Sequence, residues 1–278
     1  MGYTGETYGA YVVTRQPDGQ WSDPALINTG LPNTHYWISL IVTGYQDTYL
    51  ATTIDAASPH TPTDADLIHV IEHAHALGLR VMLKPHVDLL DESDGRWRGH
   101  IGVGFTTAAE WTTWFASYRE FIVHYAALAQ AHGADQFCIG TELLGTTHRS
   151  ADWRAIVAEV RAAYDGPIVY AALHSGEETA ITWWDAVDLI GVDGYYPLSS
   201  SRDPDVRPTV EALEAAWEQP KAIMAGLAAA YGKPVLLTEL GYRSHRGCSC
   251  HPWDSEAVSP VDLEEQAAVY EAAPSLRK

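Results

Sequence analysis

The sequence predicts an α/β fold of the (β/α)8 TIM-barrel type, one domain over residues 1–278, and three observations carry that expectation. From residue 37 onward, short apolar runs alternate with longer segments of helical spacing, the pattern of a parallel sheet covered by helices. No linker, internal repeat or low-complexity tract interrupts the alternation. The residues that close the apolar runs are Lys, His, Asp, Glu and Tyr, at the edge where parallel barrels carry their reactive groups.

Taken in order, residues 9–13 read as a weak first strand and residues 37–42 (Trp-Ile-Ser-Leu-Ile-Val) as a buried second. Thr63, with Asp66 three residues on, caps a helix whose Leu67, Val70, Ile71, Ala74 and Leu77 share one face until Gly78 ends it. Residues 80–85 are the third strand. Thr107 and Glu110 form a capping box for a long helix carrying Trp111, Trp114, Phe115, Tyr118, Phe121, Ile122 and Tyr125 and ending near Gly133. Residues 136–140 are the fourth strand, and Ser150 caps a helix with Ile156, Val157, Val160 and Tyr164.

Residues 167–171 are the fifth strand, followed by a short helix around Ile181 to Trp184. Residues 188–192 are the sixth strand, residues 209–231 one helix stopped by Gly232, and residues 234–238 the seventh strand. Ser259 and Pro260, as N-cap and first helical residue, open a last helix through Tyr270. A closed barrel needs eight strands. An eighth unit would begin at residues 274–278, so the barrel reads as incomplete at its C-terminus.

Hydrophobic residues make up 46% and charged residues 19%, a globular composition. The 17 Lys and Arg against 36 Asp and Glu leave a formal charge of −19, which repels nucleic acid and anionic membrane surfaces and favours a neutral or cationic ligand. No apolar run is long enough to span a bilayer. Residues 1–6 lack the basic start and apolar stretch of a secretory signal, so a cytoplasmic, monomeric protein is the default expectation unless a leader was trimmed. Three cysteines, Cys138, Cys248 and Cys250, do not make a disulfide framework.

Two glutamates stand just past strands four and seven, in similar settings: Gly140-Thr141-Glu142-Leu143 and Leu237-Thr238-Glu239-Leu240-Gly241. A single glutamate there is more often a helix cap or a surface charge. Two of them facing each other across a barrel mouth supply the proton donor and the nucleophile or base that glycoside hydrolysis requires. Neither has an obvious cation beside it in sequence. His174 closes the fifth strand; Asp193 and Tyr195 share a face at the sixth, as Lys84 and His86 do at the third.

These segments carry a family resemblance. Lys84-Pro85-His86-Val87-Asp88, Trp97-Arg98-Gly99, Ile139-Gly140-Thr141-Glu142-Leu143, Asp193-Gly194-Tyr195-Tyr196-Pro197 and Leu237-Thr238-Glu239-Leu240-Gly241-Tyr242-Arg243-Ser244 resemble, in order, the glycoside hydrolase family 113 β-mannanases of the retaining barrel clan A. The resemblance implies hydrolysis of β-1,4-mannosidic bonds with retention, Glu142 matching the acid/base and Glu239 the nucleophile. Thr141 stands where the clan commonly has the asparagine that holds the 2-hydroxyl. The clan's strand-eight tryptophan, the floor of the −1 sugar, has no counterpart, and residues 1–35 do not read as a clean first strand and helix.

Ten Trp and fifteen Tyr against four Phe suit sugar binding, because sugars stack on rings that also carry a polar handle. Trp111, Trp114, Trp153 and Trp217 sit at helical spacing and read as packing; Trp97 with Arg98, in a glycine-containing loop, is the better platform. His86, Thr141, Asp193, Tyr195 and, at the end of strand two, Tyr45 complete the expected binding set. His69 and His73 lie i, i+4 on a helix, and His245, Cys248, Cys250 and His251 cluster in a loop, but neither group has the spacing of a usual zinc site.

The sequence therefore predicts a retaining endo-β-1,4-mannanase needing no cofactor or metal and acting on a neutral β-linked polysaccharide. The alternatives are another clan A glycosidase such as a β-glucanase, or an idle barrel that only binds glycans.

Overall fold

The computed structural model describes residues 37–200, 206–254 and 259–273. Six strands, β1 (Trp37–Gln46), β2 (Arg80–Leu89), β3 (Gln136–Thr141), β4 (Ile168–Leu173), β5 (Leu189–Asp193) and β6 (Val235–Glu239), lie side by side in chain order in one sheet. Every pairing is parallel. These are the six strands expected from Trp37 onward, each displaced or lengthened by a few residues. The strand expected at residues 9–13 and the expected start of an eighth unit lie outside the described residues.

Helices cross between the strands: α1 (Asp64–Ala76), α2 (Ala108–His132), α3 (Ser150–Ala163), α4 (Glu177–Ala180), α5 (Val210–Ala216), α6 (Glu218–Tyr231) and α7 (Leu263–Ala272). Local chemistry sets the first two. Thr63 accepts from the Asp66 amide and Thr107 from the Glu110 amide, and both acids reach back to the cap backbone, so each capping box is complete. Gly78 (φ 78°) follows the end of α1, and Gly133 ends α2 at φ 73°, a left-handed conformation costly to residues with a Cβ.

Four boundaries differ from expectation. Arg149, not Ser150, is the cap residue of α3. The helix expected around Ile181 to Trp184 is instead α4 followed by a single 3-10 turn, Trp184–Ala186. The helix expected over residues 209–231 is two helices. Pro220 has no N–H to return to the Ala216 carbonyl, and the chain breaks at Trp217, whose ring is fully buried. The last helix begins at Asp262, which accepts from the Glu265 amide, while Ser259 turns away to donate to the Arg246 carbonyl.

Alternation along the strands separates two apolar regions. Trp37, Met82, Cys138, Val169 and Ala171 pack together inside the sheet's curve. Outside it, α2 lays Trp114, Phe115, Tyr118, Phe121, Ile122 and Tyr125 onto the sheet, and Trp153 of α3 stacks on Trp183 at 5.1 Å. Each such ring contributes about 1.5–3 kcal/mol or more on burial. The result is a rigid floor whose carboxyl edge carries the polar residues. Among the described residues no helix is long and apolar enough to cross a membrane.

Candidate active site

At β2, alternation turns Lys84 and His86 to the inside, above the Met82 layer. Lys84 is fully buried, and its ammonium donates to both carboxylate oxygens of Asp193, at 2.9 and 3.2 Å, and closely to Glu239 Oε1. Asp193 also accepts from Thr238 Oγ1 at 2.7 Å. Burial alone would strip Lys84 of its proton, but two carboxylates outweigh it and hold the ammonium charged. Burial pushes Asp193 up to about 6, Lys84 pulling the other way.

Glu239 closes β6. Burial works to raise its pKa, and Lys84 together with the Tyr195 hydroxyl, which donates to Oε2 at 2.8 Å, overcomes that and holds the carboxyl below its ordinary value. His86 Nε2 lies 3.8 Å from Glu239 Oε1, buried and without a hydrogen-bond partner among the described residues. Burial, with Lys84 and Arg98 nearby, keeps that imidazole neutral.

Glu142 sits one residue past β3 and is the one non-glycine residue among those described with a left-handed backbone, φ 51°. Its amide donates to the Ala171 carbonyl at 2.8 Å. Arg98 reaches Glu142 Oε2 only at 3.5 Å, because its fork is spent on Asp88, at 2.9 and 3.1 Å. Burial, then Asp193 and Glu239, push the Glu142 carboxyl up to about 8 against that distant guanidinium. The surroundings thus bias the two carboxyls in opposite directions, Glu142 toward the protonated form and Glu239 toward the ionised one.

Both glutamates line one open cleft of about 840 Å³, with Trp97, Arg98, Tyr195 and Trp253 among its walls. Trp253 is 51% exposed, and its ring lies 5.8 Å from that of His174, also on the wall. The cleft is large enough for several sugar rings, and its aromatic faces with a few polar groups are what such ligands need.

The expected residues fall into three positions. Glu142, Glu239, Trp97, Arg98 and Tyr195 line the cleft. His86, Thr141 and Asp193 lie at or under its floor; Asp193 has no exposed surface and both its oxygens are engaged, so it supports Glu239 through Lys84 without facing a sugar. Tyr45 does not line the cleft: its backbone pairs with Asp55 and its ring packs edge-on against His60 at 5.7 Å.

Four residues take roles that the sequence alone did not assign to them. The cations that the sequence around Glu142 and Glu239 lacks are Lys84 and Arg98, brought across the sheet; alternation had placed Lys84 on the right face, and only its partners were unknown. Asp88, quoted within a motif, fixes Arg98. Trp253 gave no signal, since nothing in its loop marks it as cleft-facing. Cys138, Cys248 and Cys250 are free and buried.

A parallel barrel sheet that carries two glutamates of opposite protonation preference over one sugar-sized cleft is a barrel glycoside hydrolase. A family model described as Glycoside Hydrolase Family 113 matches residues 16–277, and the chain belongs to that family. Similar solved structures include the family's β-mannanase AaManA from Alicyclobacillus acidocaldarius in complex with ManMIm, 33% identical at TM-score 0.75, covering 87% of this chain and 72% of that one. A second, a family 113 β-1,4-mannanase, is 30% identical at TM-score 0.74, covering 85% and 71%. No curated protein matches the chain. The protein is a β-mannanase-like glycoside hydrolase.

Proposed function

We propose that the protein is a retaining endo-β-1,4-mannanase in which Glu239 is the nucleophile and Glu142 the acid/base. The observation that carries this reading is the contrast in surroundings within one cleft: Glu239 is held by the Lys84 ammonium and the Tyr195 hydroxyl, while Glu142 has only the Arg98 guanidinium at 3.5 Å. That contrast favours the ionised form at Glu239 and the protonated form at Glu142. Separated protonation states are how two identical side chains take different roles.

Glu239 attacks the anomeric carbon while Glu142 gives its proton to the departing glycosidic oxygen, and a glycosyl-enzyme forms. Glu142, now ionised, takes a proton from water, which attacks the same carbon and releases Glu239. Two displacements retain configuration, and the geometry they need is a carboxyl separation of about 5–5.5 Å. Lys84 and Tyr195 keep the nucleophile charged. His86 stands under the cleft floor 3.8 Å from Glu239, its Nε2 buried and without a hydrogen-bond partner among the described residues, and helps to shape the pocket around the nucleophile. Trp97 and Trp253 offer faces for stacking, and no metal or cofactor enters either step.

Reducing-end release from β-mannan and from β-glucan, with the anomer of the first product followed by NMR, tests the reading. Hydrolysis of mannan with the β-anomer formed first is expected, and Glu239→Ala abolishes it. Preference for glucan would make the enzyme another clan A glycosidase; mannan binding without turnover would make it a glycan-binding barrel; an inverted product would overturn the mechanism.

A further inference from the structure

One buried carboxyl outside the cleft, Glu177 in α4, takes no part in the mechanism above and is linked by hydrogen bonds to the residue after Glu142. Leu143 N donates to Tyr170 Oη at 2.9 Å, and Tyr170 Oη donates to Glu177 Oε1 at 2.6 Å. The other oxygen, Oε2, accepts from Leu173 N at 2.7 Å. Tyr170 and Glu177 have no exposed surface, and the Tyr170 ring is wedged against Trp153, Trp183 and Trp184.

The direction of this chain is not free. An amide N–H only donates, so at Leu143 the tyrosine oxygen must accept; its single proton then has one place to go, Glu177. Without that acceptor the hydroxyl would turn its proton elsewhere, and the lone pair facing Leu143 would lose its set orientation. Burying a carboxyl this deeply is unfavourable, and burial raises its pKa. The structure bears that cost one tyrosine away from Leu143, the neighbour of the one non-glycine residue among those described in a left-handed conformation, which itself costs about 1–2 kcal/mol. Glu142 is thus pinned on both sides, its own amide by Ala171 and the next amide by Tyr170.

We infer that Glu177, acting through Tyr170, is a positioning residue for the acid/base: it holds the Leu143 amide, and thereby the strained backbone of Glu142, where the carboxyl meets the departing oxygen. The inference rests on Glu142 being the acid/base. Its function is therefore visible only where a proton must be delivered.

The test compares kcat/KM for mannopentaose, whose leaving sugar needs that proton, with kcat/KM for 2,4-dinitrophenyl β-mannobioside, whose leaving group departs as a stabilised anion. Tyr170→Phe and Glu177→Gln are measured beside wild type and Glu142→Ala, both substrates in one preparation, so that the ratio does not depend on the folded fraction. The expected result is a fall of about ten- to a hundredfold on mannopentaose, the range for small misplacement of a reacting group, with the aryl substrate within about threefold. Glu177→Gln keeps one acceptor and serves if Tyr170→Phe does not accumulate. Equal losses on both substrates, or no loss, overturn the positioning role. If wild type hydrolyses neither substrate, or Glu142→Ala shows no such split, the reading of the reaction itself fails.

Discussion

Lys84 and Glu239, 155 positions apart, meet in a hydrogen-bonded ion pair at the floor of the cleft, with the far side of the same ammonium held by Asp193. One cation between two carboxylates cannot neutralise both. Each carboxylate has a hydroxyl donor besides the ammonium, Tyr195 for Glu239 and Thr238 for Asp193, and the deeper burial of Asp193 leaves Glu239 the more acidic of the two.

Lys84→Met removes the charge and leaves two buried carboxylates facing each other. Breaking a buried pair in this way costs about 3–5 kcal/mol. The acidic limb of the kcat/KM profile, which the proposed mechanism assigns to Glu239, is expected to move up by more than one pH unit, and kcat/KM to fall at least about a hundredfold, a barrier increase of about 2.7 kcal/mol. Thermal melting and a pH–rate profile check both; an unmoved acidic limb would show that Lys84 does not set the charge of Glu239.

Tyr195→Phe keeps the ring against Gly241 and deletes only the donor to Glu239. A hydrogen bond to a charged group contributes about 1.5–3 kcal/mol, so kcat/KM is expected to drop about ten- to a hundredfold, with the acidic limb raised. Steady-state kinetics across pH decides it.

In the proposed mechanism the alkaline limb belongs to Glu142, which must be protonated for the first step. Activity is therefore expected to fall as pH rises through about 8. Asp88→Asn frees the Arg98 fork to turn toward Glu142; a nearer cation favours the ionised form, so the alkaline limb should shift to lower pH. A shift upward would contradict the assignment of the limb.

Stability has its own pH dependence at this site. The folded Glu142 pKa of about 8 lies above the ordinary 4.5, so between these values the folded state holds a proton that the unfolded chain has released. Stability contributed by this group thus decreases as pH rises from about 4.5 to 8, and Glu177 adds in the same direction. Glu142→Gln abolishes that dependence. Calorimetry should show the variant melting at least about 3 °C above wild type at pH 8, the equivalent of about 1 kcal/mol, with the gap closing near pH 4.5.

Gly140, two residues before Glu142, has no room for a side chain. A Cβ there would stand 2.8 Å from Tyr170, 2.9 Å from the Tyr118 hydroxyl and 3.0 Å from Trp153, all rigidly buried. Gly140→Ala is expected to cost about 1–3 kcal/mol by overpacking. Because Tyr170 must yield, proton delivery to mannan should suffer beyond the loss of stability.

Where neighbouring residues hold all the information, the sequence was legible. Thr63 with Asp66 and Thr107 with Glu110 are complete capping boxes three residues wide, and both helices start where they indicate. The Ser259-Pro260 pair looked like the same kind of signal and failed, because Asp262 lay within reach of the same turn and caps more directly. The break at Trp217 leaves no mark in the helical spacing, which runs on past Pro220.

The sequence by itself determined the strand–helix alternation, the parallel order and which two glutamates stand at strand ends, since each follows from a period or a spacing along the chain. Only the tertiary structure decided which charged and hydroxyl groups surround each of them, and so which way each carboxyl is biased. Lys84, Asp193, Glu239, Arg98, Asp88 and Glu142 come from different strands and loops, and the field at each carboxyl depends on through-space distance and burial, neither of which a linear order of residues contains.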